Sequence, residues 1–520
     1  MNNPPPYTRD DLTTKQKDYA VFLPALSSFY ASELSKQKLN PNHIPANRIP
    51  SNFELGIEGL NWLDKNDSYF YYKWSLYSAG HAALDVNAPP NRDDMVRNRD
   101  RNNSFILGDS GGFQIGKGVW EGNWKDPNCP KAGQKRKQVI EWLDAYMDRG
   151  MVLDVPSWAA RSEIARKNTG ITNETEAIQA TILNNDYFMR HRNGNCKLLN
   201  VLQGETHKEA DRWYDHVKHF CDPKHFSQPF DGWAMGGQNM CDVHLALQRL
   251  VTLRFDGLLE PGKHDWMHFL GTGKLEWGLL LTDIQRAIRR YHNENFTISF
   301  DCASPFLATA NGQIYVSTEI QDRSKWLYRM LPSADDKKYA TDTREFIDAV
   351  NTDNIFNGRI FTNSPVMENV PIKDICIYKP GDLNKIGKEG KTSWDSFSYA
   401  IMMGHNVWQH IHSVQEANRQ YDAGLCPAML VDEKFERTYF KDIVEAIFAT
   451  NDRSIAEAII TEYSKFWMAI PGTRGATGKK TINSSTTFAN LFDVVEEEVV
   501  ELDEDSLDEF KLNQLEESIE

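Results

Sequence analysis

Leu198-Leu199-Asn200-Val201-Leu202-Gln203-Gly204 is a short run without a charged residue, closed by an amide and a glycine. A run of this length and composition fits a strand covered on both faces, the environment of a parallel sheet. The same pattern repeats outward in both directions. Upstream stand Met151-Val152-Leu153-Asp154 and Phe105-Ile106-Leu107-Gly108-Asp109-Ser110. Downstream stand Trp233-Ala234-Met235-Gly236-Gly237, His268-Phe269-Leu270-Gly271-Thr272-Gly273 and Ile298-Ser299-Phe300-Asp301-Cys302. With Asp109, Asp154, Gln203, Gly237, Thr272 and Asp301 as markers, the steps are 45, 49, 34, 35 and 29 residues. Each step holds a strand, a helix and two loops.

The segments between these runs carry helical signals. Residues 138–147 follow a basic loop, 172–190 open with a cap and early acids, and 206–220 begin with Thr206 as a cap. Residues 242–253 are amphipathic, and 274–290 read as one more helix. Strand and helix alternating at this period mean α/β with a parallel sheet. Two further strands, Ala20 to Pro24 and Tyr69 to Trp74, bring the number to eight. The expected fold is a (β/α)8 TIM barrel with insertions and a helical C-terminal extension.

The expected organisation is a polar arm over 1–18, the barrel over 19–424, helices over 425–471, a linker over 472–492 and an acidic tail over 493–520. The helices of the extension are expected over 433–450 and 454–467. The tail carries thirteen Asp or Glu against one lysine, so -12 of the chain's net -15 lies there and only -3 on the other 492 residues. A bulk argument against nucleic-acid partners therefore fails, since phosphate affinity follows local basic patches. Candidate patches are 131–137, 286–290 and 474–480, each of which also reads as a solvated face. Mean hydropathy of -0.56, with no apolar stretch near 18 residues, excludes a membrane span. Seven dispersed cysteines without a CxxC pair argue against a disulfide framework and a zinc ribbon. The start has neither a basic nor an apolar leader segment, so the expected compartment is the cytoplasm.

In such barrels the C-terminal ends of the strands carry the chemistry. Asp109, Asp154, Gln203 and Asp301 are expected to converge there. Taken singly, each aspartate also reads as a cap at a strand-to-helix turn. Two carboxylates facing one substrate allow covalent displacement at an acetal-like carbon, one attacking and one moving protons. A third carboxylate with an amide suits a planar base that both donates and accepts hydrogen bonds. Gly111-Gly112 and Gly236-Gly237 let backbone approach a flat ligand, although both doublets also fit tight turns. Phe113 beside the first doublet is placed to stack on such a ligand. The residues themselves lead to a barrel enzyme acting on an N- or O-glycoside.

Asp109-Ser110-Gly111-Gly112-Phe113-Gln114 resembles the DSGG(F/Y)Q signature of the tRNA-guanine transglycosylases. The resemblance continues in order through Leu202-Gln203-Gly204, Phe230-Asp231-Gly232-Trp233-Ala234-Met235-Gly236-Gly237, Leu270-Gly271-Thr272-Gly273 and Phe300-Asp301-Cys302. It spans roughly residues 20 to 420. The resemblance implies a barrel that exchanges guanine in a nucleic acid for a 7-deazaguanine. It implies Asp301 as the nucleophile at C1′ and Asp109 as the general base. Asp154, Gln203 and the backbone at Gly236 and Gly237 would read the base edge, with Ser110 in the signature and Phe113 and Leu270 on the two faces of the base. The target guanine must leave its stack, which favours single-stranded or flipped substrate.

The chain also departs from the bacterial tRNA enzymes. Where their nucleophile motif continues with arginines that hold RNA, Leu307 and Ala310 stand here. Their zinc set of CxCxxC with a histidine is reduced to Cys376 and the His405-Asn406 pair, short of the usual four ligands. No cofactor is therefore expected; a remodelled zinc site would draw on Asp374, His410 or His412. An intact chemical core with an altered nucleic-acid grip most resembles the DNA-guanine transglycosylases (DpdA family), which occur in bacteriophages and bacterial modification clusters. The expected partners are DNA and a 7-deazaguanine base, with no membrane, in the host cytoplasm if the source is viral. The alternatives are a divergent tRNA-guanine transglycosylase and, outside the enzyme class, a non-catalytic accessory subunit, which would not need the two carboxylates.

Overall fold

The computed structural model describes residues 7–51, 53–352, 361–377, 394–432 and 438–473. Eight short strands form one all-parallel sheet: β1 (Val21–Pro24), β2 (Trp74–Ser78), β3 (Phe105–Asp109), β4 (Arg149–Met151), β5 (Lys197–Leu202), β6 (Gly232–Met235), β7 (Trp266–Phe269) and β8 (Thr297–Cys302). Each strand from β2 to β8 pairs with the next in sequence, and β8 pairs with β1. Between β1 and β2 the ladder thins to one bridge, Ala25 to Leu76, supported by Ser75 Oγ donating to Pro24 O at 2.9 Å. The sheet is thus a nearly closed barrel in a mixed α/β chain. Most central residues of these strands are apolar and buried, with Ser75, Asn200, His268 and Ser299 as buried polar exceptions, as suits a sheet covered on both faces.

Helices follow the strands. They are α1 (Ser28–Leu39), α2 (Pro130–Tyr146), α3 (Glu174–His191), α4 (His207–Val217), α5 (Val243–Phe255), α6 (Leu275–Tyr291) and α7 (Ser304–Ala310). Side-chain caps fix several starts: Asn173, Thr206 and Asp242 accept from the amides of Glu176, Glu209 and Leu245. After the barrel come a hairpin, β9 (Gln313–Glu319) with β10 (Leu327–Pro332), and the 27-residue helix α8 (Ser396–Asp422). Three helices close the described chain: α9 (Phe440–Ala449), α10 (Arg453–Glu462) and α11 (Ser464–Ala469). No helix among the described residues is long and apolar enough to cross a membrane.

Several elements lie elsewhere than the sequence pattern indicates. The second strand is Trp74–Ser78, not Tyr69–Trp74. The aromatic run that suggested a strand is buried packing instead: Tyr69 lies 4.4 Å from the Phe53 ring, and Tyr72 donates to Phe22 O at 2.6 Å. The basic loop over 131–137 is the first half of α2, begun by Pro130 at its first position. Residues 454–467 form two helices broken at Tyr463. Residues 7–18 are packed down: Tyr7–Thr8 pairs with Asp67–Ser68, and Leu12 is fully buried. The acidic tail and the linker beyond Thr473 lie outside the described residues.

Candidate active site

Strands β2 and β3 run in register so that Ser78 sits beside Asp109 at their C-terminal ends. Ser78 Oγ donates to Asp109 Oδ2 at 2.7 Å. Burial raises the Asp109 pKa, and the nearby negative charge of Asp301 adds to the rise. The hydrogen bonds from Ser78 and the Gly111 amide oppose it. Asp301 projects from the end of β8 with its side chain 13% exposed. Its Oδ1 accepts from the Gly271 amide at 2.8 Å and meets His268 Nε2 at 3.1 Å. Two carboxylates 192 positions apart in the chain thus face one another electrostatically at one end of the barrel.

Asp154 lies three residues beyond β4 and is buried. Gln203, just past β5, donates its Nε2 to Asp154 Oδ2 at 2.9 Å. Burial pushes the Asp154 carboxyl up to about 7, with the Asp109 charge adding to it and the Gln203 bond working against it. The first glycine doublet makes room for this pair: a Cβ on Gly112 would sit 2.5 Å from Asp154 Oδ1. The second lies against the same amide. A Cβ on Gly236 would come within 2.7 Å of Gln203 Nε2, and Gly237 has φ of +54° with Gly204 O at 2.4 Å from where a Cβ would stand. Neither position of that doublet accepts a side chain. Asp109, Asp154, Gln203, the doublet and Asp301 therefore belong to one cluster.

The remaining expected residues divide. Phe113 is half-buried, its ring tilted against Trp158 at 5.6 Å with the Lys117 ammonium 5.3 Å above it. Leu270 is half-buried and packs on Met240 and Cys241. Ser110 is 1% exposed and donates its hydroxyl to Val152 O at 3.1 Å, a bond that ties the β3 turn to the neighbouring chain. Sequence reasoning passed over Ser78, His268 and the Gly271 amide. A histidine inside an otherwise apolar strand run was the available signal for His268. Ser78 carried none, since its neighbour across the ladder is known only once the register is.

Several cations of two basic patches have partners within the chain, although Lys131, Lys137 and Arg290 stay largely exposed. In 131–137, Arg136 is buried against Asn184 Oδ1 and Trp124 O, Lys131 pairs with Glu121 and Lys135 lies over Trp120. In 286–290, Arg286 binds Asp18 and Asp422, Arg289 donates to Phe296 O and Arg290 pairs with Glu445. The patch over 474–480 lies outside the described residues.

The residues offered for zinc do not fit a metal. Both nitrogens of buried His405 are engaged, Nδ1 with Ser364 Oγ at 2.7 Å and Nε2 with Tyr315 O at 2.8 Å. Burial lowers its pKa to about 4. The Cys376 thiol is directed at Asp336 O. His410 is stacked between Phe22 and Tyr328, and His412 on Trp408. No group of three or more His, Cys, Asp or Glu among the described residues is arranged to hold a metal ion. The His405-Asn406 pair acts as a brace. Asn406 bonds to Pro305 O, Thr309 Oγ1, Gln313 O and the Tyr315 amide, tying the segment after Asp301 to α8.

No protein-family model matches the chain, and no curated protein matches it either.

Proposed function

We propose that the chain is a (β/α)8 transglycosylase, with insertions and a helical C-terminal extension, that exchanges guanine in DNA for a 7-deazaguanine. One observation carries this reading: Asp109 and Asp301, from distant strands, meet at one barrel end beside a buried carboxyl–amide pair. In the first half-reaction an Asp301 carboxylate oxygen bonds to C1′ as the bond from C1′ to guanine breaks. The electron pair leaves with the base, and protonated Asp109 supplies the compensating proton. In the second half Asp109 takes the proton from the ring nitrogen of the incoming 7-deazaguanine. That nitrogen bonds to C1′ and the aspartyl ester breaks, returning Asp301 to its starting state. Asp109, with its pKa raised by burial and the Asp301 charge, suits a group that both gives and takes a proton. Asp154 and Gln203 suit the edge of the base, an acceptor beside a donor. The absence of cations from α7, whose sequence is Ser304-Pro305-Phe306-Leu307-Ala308-Thr309-Ala310, favours DNA over the tRNA alternative, because the arginine clamp of the tRNA enzymes has no counterpart there.

The test is a guanine-exchange assay offering labelled 7-deazaguanines with single-stranded DNA, duplex DNA and tRNA in parallel. Incorporation into DNA is expected, abolished in Asp301→Asn and reduced by roughly 10² to 10⁴ in Asp109→Asn. Incorporation into tRNA alone selects the RNA-directed alternative. No incorporation and no adduct at Asp301 selects the accessory-subunit alternative.

A further inference from the structure

Strands β7 and β8 pair with Trp266 opposite Thr297 and His268 opposite Ser299. Their alternation turns Trp266, His268, Ser299 and Asp301 to one face, inside the barrel. Trp266 Nε1 donates to Ser299 Oγ at 2.8 Å, Ser299 Oγ lies 2.9 Å from His268 Nδ1, and His268 Nε2 lies 3.1 Å from Asp301 Oδ1. Trp266 is 8% exposed, and His268 and Ser299 are fully buried.

The proton positions follow from the donors. An indole N–H only donates, so Ser299 Oγ accepts from Trp266. Among the described residues the Ser299 hydroxyl has His268 Nδ1 as its one other partner. A fully buried hydroxyl does not leave its proton unused, so it donates to Nδ1. His268 is therefore the neutral imidazole with its proton on Nε2, and it donates to Asp301. The opposite tautomer would aim a lone pair at a carboxylate. Asp301 Oδ1 then receives two hydrogen bonds, from His268 and Gly271, whereas Oδ2 receives none among the described residues.

We infer that His268 is a positioning residue for the nucleophile: the Trp266–Ser299–His268 relay and the Gly271 amide hold Asp301 Oδ1, so that Oδ2 is the atom that bonds to C1′. The inference rests on the transglycosylase reading for the identity of the reaction, but the relay itself does not. In the covalent state Oδ2 is the ester oxygen and Oδ1 the carbonyl oxygen, still facing two donors. When the ester breaks, negative charge returns to the carboxylate and Oδ1 takes its share in front of donors already in place, the arrangement that lowers the barrier for departure of a charged group. Without His268 the charge leaves the carboxylate more readily than it returns. Ester cleavage suffers more than ester formation.

The experiment uses the full chain, with turnover and the steady-state fraction of protein covalently joined to nucleic acid read together. His268→Phe is expected to lower kcat by about ten- to one-hundred-fold, leave KM for the incoming base within a factor of about two, and raise the fraction of adduct. His268→Gln, which keeps an N–H near the Nε2 position, is expected to recover most of the turnover and the normal adduct fraction. A uniform loss in both variants with no rise in adduct overturns the inference and leaves His268 as packing only. Because His268→Phe also risks misfolding, the tautomer is read independently by ¹⁵N NMR of wild-type protein, with His268→Gln identifying the signal. A proton on Nε2 is expected; a proton on Nδ1 overturns the relay. If wild-type protein exchanges guanine on no nucleic acid while the tautomer is as stated, the transglycosylase reading fails and the relay stands.

Discussion

Asp154→Asn separates what this carboxyl does for the reaction from what it does to the fold. The Asp154 carboxyl is pushed from an ordinary 3.8 to about 7, first by burial and then by the Asp109 charge. Each pH unit between those values is worth about 1.4 kcal/mol. Carrying the charge at pH 8 therefore costs the folded state about 4 kcal/mol. The sign is that of an acid whose folded pKa lies above its unfolded one. Its favourable contribution is complete below pH 4, shrinks as pH rises and is gone above about 7. An asparagine cannot ionise, and its Oδ1 can still accept from Gln203. At pH 8 the variant is expected to be the more stable protein, and near pH 4 the two should match. Unfolding entropy near 2 cal/mol/K per residue makes a degree of Tm worth about 1 kcal/mol for a chain this long. The gain is therefore about 4 °C at pH 8, read by scanning calorimetry at several pH values. Asp283, also near 7 and hydrogen-bonded by Tyr421, titrates in both proteins and drops out of the difference. The same variant should lose at least about a hundredfold in use of the incoming base, since an amide N–H replaces an acceptor at the base edge. Melting curves that run parallel at every pH would refute the burial argument. A gain in stability with exchange untouched would refute the role in base recognition.

Ser78→Ala removes the hydrogen bond that holds the Asp109 pKa down against burial. The acidic limb of the kcat/KM profile for the incoming base should move upward, measured by exchange assays across acid to neutral pH; an unmoved limb removes Asp109 as the group titrating there. His405→Phe should lower Tm by several degrees, because two buried partners, Ser364 and the Tyr315 carbonyl, lose their bonds. Overnight dialysis of wild-type protein against a strong chelator should change neither Tm nor metal content measured by atomic absorption, and a stoichiometric zinc would contradict the brace.

Much of the barrel was legible because its signal is local. A run such as Leu198 to Leu202 must be buried on both faces whatever its neighbours are, and Thr206 and Asp242 announce the helices that follow. The second strand was misplaced because Tyr69 to Trp74 has the aromatic content of a strand but uses it for packing beneath the barrel, an outcome set by partners far away in the chain. The partners of the basic residues at 131–137 and 286–290 were hidden for the same reason: sequence shows charge, whereas Asn184, Asp18 and Asp422 come beside them only in three dimensions. Zinc followed the reverse course. His405-Asn406 kept the residue types of a metal-binding pair, yet a carbonyl and a hydroxyl occupy both ring nitrogens.

The cluster also explains why its carboxylates divide the work. All three are aspartates at one end of the barrel, and in water they would be interchangeable. Asp154 is buried against one amide and resists ionisation until neutral pH, which leaves it poised to gain its charge when the N–H groups of a base edge arrive. Asp109 is half-buried, accepts from Ser78 and feels Asp301, so burial and a neighbouring charge favour a proton on it while the hydrogen bond opposes one. Asp301 has one oxygen held by an imidazole and a backbone amide and the other left open. The side chain is the same in all three, so the division comes from the surroundings alone. The division lies in the strands that present each acid, and a site of this kind stands or falls with the register of β2 on β3 and of β7 on β8. A one-residue slip in either pairing would take Ser78 from Asp109 or His268 from Asp301, and would turn the displaced side chain to the opposite face of the sheet.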